Sequence, residues 1–120
     1  MINKNAEQYL SGFEKINEYF GFDYITEYGF HDAEIDEIRV VPNELYMQLW
    51  LPCKGKGHTL KLHFSIVNEI SLYGDLLPIS DIYIYEQEKV PGWCVFGMGG
   101  NGGEIRCKHI ECVSICECIE

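Results

Sequence analysis

The sequence predicts an α+β domain: an N-terminal amphipathic helix packed on a mostly antiparallel sheet of about six to eight strands. Three observations lead there. Apolar residues recur at helical spacing near the N-terminus and nowhere else as cleanly. From residue 33 onward, short runs alternate apolar and polar residues with a period of two. Tight turns rich in Gly, Asn and Pro separate those runs, which is how antiparallel strands are joined. The 120 residues are read as a single domain, 1–120, with a helix at about 5–20 and a strand-rich part at 33–118.

The helix is expected over Asn5 to Phe20. Tyr9, Phe13, Ile16 and Phe20 form one stripe, with Leu10 beside it. Asn5 stands where a cap is wanted, Gln8 where a capping-box partner would sit, and Gly21 at the C-terminal stop. Glu7, Glu14, Lys15 and Glu18 take the opposite face. Phe22 to Phe30 reads as an aromatic connection that tucks its rings under the sheet or presents them, with Asp23 and Glu27, to a partner.

The first strand is expected over Ala33 to Val41, with Ile35, Ile38 and Val40 apolar and a bulge near Asp36-Glu37 where the alternation slips. Glu44 to Leu51 alternates cleanly, with Leu45, Met47, Leu49 and Leu51 opposite Tyr46, Gln48 and Trp50. His58 to Phe64 turns Leu60, Leu62 and Phe64 inward. Further strands are expected at Val67–Tyr73, Ile79–Tyr85 and Trp93–Met98, followed by a Gly-rich hairpin tip at Gly97–Gly103. Glu104 to Cys118 reads as one long strand or two, bent near His109-Ile110.

Charge is the clearest global signal. Nineteen acidic residues against nine Lys and Arg give a net charge of −10. Nucleic acid is therefore excluded as a partner, because binding phosphates needs the opposite sign. A basic protein would be drawn in quickly. No apolar run is long enough for a membrane span. The first residues lack the basic start and apolar middle of a signal peptide, so a cytoplasmic location is expected. The six cysteines are accordingly read as reduced thiols.

Possible chemistry is sparse. The Gly-rich tip lacks the Lys and the following helix that a phosphate cradle needs, and no cofactor is expected. Cys112, Cys116 and Cys118, with His109, are the main metal candidates, and the His31-Asp32 pair is a second, as an acid-base pair or metal dyad. On a regular strand the three thiols would share one face, but the first and second would stand roughly 13 Å apart. His31-Asp32 is the only His-Asp pair. As neighbours on a strand they would point to opposite faces. A structural role is expected instead: Asp32 accepting backbone N–H bonds at a turn and His31 fastening the loop. No catalytic residue is assigned. Asp23, Glu27, Asp32, Glu34, Asp36 and Glu37 put six carboxylates into fifteen residues with no Lys or Arg among them. Asp23, Glu27, Glu34, Asp36 and Glu37, with Tyr46 and Trp50 from the next strand, are the partner-binding candidates.

Phe30-His31-Asp32-Ala33-Glu34 resembles the Phe-His-Asp-Ala-Glu motif of the immunity protein 50 family of bacterial polymorphic toxin systems, or of uncharacterised relatives that share the motif. The likeness continues through the hairpin at Leu45–Leu51, the strand Leu60-Lys61-Leu62-His63-Phe64, the Val67–Leu72 segment and Gly102-Gly103-Glu104-Ile105-Arg106-Cys107. Where the family often carries Trp-Pro-Ser before the motif, this chain has Glu27-Tyr28-Gly29. The resemblance implies a non-enzymatic inhibitor that binds a toxin domain, here expected to be basic. The protein itself is expected as a monomer or weak homodimer. Two other readings stay open: a metal-binding domain or small metal-dependent enzyme using the C-terminal Cys/His cluster, and a self-associating structural module.

Overall fold

The computed structural model describes residues 2–72, 79–99 and 103–118. A 3-10 helix, Lys4–Tyr9, comes first, then β1 (Leu10–Ser11), α1 (Glu14–Phe20) and α2 (Tyr24–Tyr28). Strands follow as β2 (Glu34–Val41), β3 (Glu44–Cys53), β4 (Lys56–Ser65), β5 (Glu69–Ser71), β6 (Ile82–Glu86), β7 (Cys94–Met98), β8 (Gly103–Cys107) and β9 (His109–Glu117). The fold is α+β, but the described residues form two sheets rather than one, with nine strands in all. The larger has the order β1-β9-β4-β3-β2, the smaller β5-β8-β7-β6. All pairings are antiparallel except β1 with β9.

The expected helix over 5–20 is not continuous. It breaks into a 3-10 turn, two residues of strand and a seven-residue helix. Leu10 and Ser11 pair with Ile110 and Glu111 of β9. Gly12 then turns at φ +74°, so close to β9 that a Cβ would lie 2.7 Å from the Cys112 carbonyl oxygen. Ser and Gly are weak helix formers, and pairing with β9 outweighs a helical stripe that periodicity alone would join. Gln8 bonds the Asn5 carbonyl, not a helix cap. Gly21 does close α1, at φ 79° with its N–H on the Asn17 carbonyl. The 22–30 connection also differs from expectation, because it contains α2. Asp23 caps that helix and Gly29 closes it in the left-handed region.

The alternation in β3 and β4 translates directly into burial. Leu45, Met47, Leu49 and Leu51 face the core with Leu60, Leu62 and Phe64, all at most 2% exposed. Phe64 meets Phe96 of β7 edge to face at 5.1 Å, joining the two sheets through one core. On β2 the bulge falls at Asp36, between the pairs Ile35–Leu49 and Glu37–Gln48. It changes the phase, so Ile35 and Ile38 are both half-buried, while Val40, paired with Leu45 on the outermost strand of the sheet, is 56% exposed. The last segment breaks at Lys108: β8 ends at Cys107 in the small sheet and β9 begins at His109 in the large one. Of the expected Val67–Tyr73 strand only Glu69–Ser71 pairs, and Tyr73–Pro78 and the tip residues Gly100–Gly102 lie outside the described residues.

Candidate functional site

A cleft of about 910 Å³ opens where the 3-10 helix, β1, α1 and α2 meet β6 and the residues leading into it. Its walls include Ile2, Leu10, Phe13, Ile25, Tyr28 and Tyr83. Five carboxylates line it: Glu7, Glu14, Asp23, Glu27 and Asp81. No Lys or Arg does.

Short-range bonds fix this arrangement. Asn17 spans α1 and α2, donating through Nδ2 to Asp23 Oδ1 at 3.0 Å and accepting from the Ile25 N–H at 3.1 Å. The Thr26 N–H reaches Asp23 Oδ1 at 3.2 Å, and this bond above all holds the Asp23 carboxyl below the usual range. Tyr83 donates to Asp81 Oδ2 at 2.8 Å, which raises its phenol above the ordinary value. Tyr9 donates its hydroxyl to Glu86, tying the 3-10 helix to β6.

His31 stands on the rim. Its Nδ1 donates to the Ser80 carbonyl at 2.6 Å. The Asp32 N–H bonds the Ile79 carbonyl at 2.9 Å, and the Ile79 N–H returns to Ala33 at 2.7 Å. The Phe30–Glu34 stretch is thus stitched to Ile79 and Ser80, ahead of β6, through an isolated antiparallel bridge. Two expectations are corrected here. Asp32 makes its tie through the main chain rather than the carboxylate. His31 and Asp32 sit on a turn, with Asp32 at φ 62°, so their side chains do not diverge as on a strand: Nε2 and Oδ2 are 3.6 Å apart. Phe30 also lies in the left-handed region, at φ 60°, with its ring 2% exposed. A non-glycine residue pays about 1–2 kcal/mol for that conformation, offset here by burial of the ring. Ala33 is fully buried and Glu34 exposed.

The predicted partner surface divides. Asp23 and Glu27 belong to the cleft. Glu34, Asp36 and Glu37 are exposed along β2, and Glu37 shares a hollow with Arg39 and Lys61. Tyr46 and Trp50 are half-buried. The Arg39 guanidinium lies 4.4 Å from the Tyr46 ring centre, and His63 stacks on that ring at 4.6 Å while bonding Glu44 at 3.0 Å. The Trp50 indole packs over Gly57, where a side chain would collide with its Nε1. Sequence reasoning missed Glu7, Glu14 and Asp81 as partners of Asp23 and Glu27. The first two read as a solvated helix face, and Asp81 comes from a segment some fifty residues beyond α2.

The cysteine and histidine candidates do not gather. The β4–β9 register shifts around Val113, so Leu62 pairs with Cys112 and Lys61 with Ser114. That extra residue turns Cys112 into the core and leaves Cys116 exposed, against the expectation of one shared face. Burial pushes the Cys112 thiol up to about 11. Cys118 Sγ lies 3.2 Å from Thr59 Oγ1, and His109 Nε2 lies 2.9 Å from Ser11 Oγ. Among the described residues no group of three or more His, Cys, Asp and Glu side chains is placed to hold a metal ion. No described helix is long and apolar enough to cross a membrane. Compared with known proteins, the chain matches no family model, no curated protein and no solved structure.

Proposed function

We propose that this chain is a non-enzymatic binding protein of the immunity type, which neutralises a bacterial toxin domain in the cytoplasm of the cell that makes both. In this reading its carboxylates meet the basic rim of a nuclease-like active site and block access to substrate. The observation that carries the reading is the cleft with five carboxylates and no Lys or Arg in its lining. The net charge of −10 adds long-range attraction, which speeds capture of a basic partner. The Phe30–Glu34 motif, with its resemblance to the immunity protein 50 family, supplies the biological setting.

Co-expression with the product of the neighbouring gene tests it. The expected outcome is restored growth and a partner retained on the tagged protein, with retention falling as salt is raised. No rescue and no retained partner would overturn it.

A further inference from the structure

We infer that the cleft between the 3-10 helix, α1, α2 and β6 is the docking site for a basic, partly apolar segment of the protein partner, a step that rests on the binding reading above. Charge complementarity favours this cleft over the β2 surface. Among the described residues Glu7, Glu14 and Glu27 stand in no ion pair. Asp23 and Asp81 accept bonds only from N–H and O–H donors of the chain itself and line the space without a Lys or Arg beside them. On β2, by contrast, Glu37 already has Arg39 and Lys61 beside it. The apolar walls from Leu10, Phe13 and Ile25 suit what a Lys or Arg brings: a hydrocarbon stem that lies on apolar surface while the charged head meets a carboxylate. At about 910 Å³ the space lies in the range of sites that enclose a sizeable ligand, so it takes several side chains rather than one ion.

A blocked hexapeptide alternating arginine and leucine is the probe, titrated calorimetrically at low salt. The wild-type protein should bind one copy. The variant Glu7→Gln/Glu14→Gln/Glu27→Gln should bind at least about tenfold more weakly, since three favourable pairs are lost. A charge-matched control, Glu69→Gln/Glu88→Gln/Glu111→Gln, should stay within about twofold of wild type, because none of the three lines the cleft. Thermal melts establish that both variants are folded. Equal weakening of the two variants would overturn the proposal by reducing the effect to net charge, as would no binding by the wild type. Spermine binding as tightly as the peptide would make this a polyamine site and overturn it too. Toxin rescue that survives the cleft substitutions but fails in Glu34→Gln/Asp36→Asn/Glu37→Gln would leave the immunity-type reading standing and move the docking site to β2. Peptide binding in the cleft with no toxin captured would do the reverse.

Discussion

Tyr24 holds the aromatic segment in place. Its ring stacks on Phe20 at 4.3 Å and on Tyr28 at 5.0 Å, and meets Phe30 edge to face at 5.7 Å. The residue is fully buried, and among the described residues its hydroxyl has no hydrogen-bond partner. Burial drives its phenol far above the ordinary value. The ring therefore stabilises and the hydroxyl costs, because a buried polar group without a partner loses its water for nothing. Tyr24→Phe should melt at or above the wild-type temperature, whereas Tyr24→Ala should cost about 3–5 kcal/mol in denaturant unfolding. A clear loss in Tyr24→Phe would show that the hydroxyl does have a partner. The sequence signalled an aromatic cluster here, and Asp23-x-x-Thr26 followed by Gly29 was a readable cap and stop for α2. What hid the helix was its length, since five residues carry too little periodicity to stand out from a loop.

At the level of single elements, β9 is where local pattern and final register part company. Cys112, Cys116 and Cys118 have the even spacing of one strand face, yet the bulge at Val113 splits them between core and solvent. A bulge marks the sequence where the apolar alternation slips, as from Ile35 to Ile38 on β2 and from Cys112 to Ile115 on β9, but on β9 Cys116 and Cys118 keep the even spacing and mask the slip. The split is open to chemistry. In the native protein an alkylating reagent should label Cys116 first and Cys118 more slowly. Cys53, Cys94, Cys107 and Cys112 should react only once the protein unfolds, because buried thiols are out of the reagent's reach. Mass spectrometry of the labelled peptides reads this out; early labelling of Cys112 would contradict the register. The N-terminal helix failed for a related reason. The stripe Tyr9–Phe20 has helical spacing, but pairing of Leu10 and Ser11 with β9 depends on a strand about a hundred residues away, which no local window contains.

For the molecule as a whole, the alternating strands β3 and β4 were legible because each buries one face against a single core. The division into two sheets was not, since it turns on the single residue Lys108, where the chain leaves one sheet for the other. The binding surface followed the same rule. Carboxylates adjacent in sequence were visible as a group, but the cleft assembles Glu7 and Glu14 with Glu27 and Asp81 across four separate segments. Its most direct test is where a basic segment lands on the folded protein. In a titration of the nitrogen-15-labelled protein with the arginine–leucine hexapeptide, amide shifts should change around Glu7, Glu14, Thr26, Glu27, His31 and Asp81, and stay still along β2. Shifts centred on Glu34–Arg39, or spread evenly over every acidic residue, would contradict the cleft as the docking site.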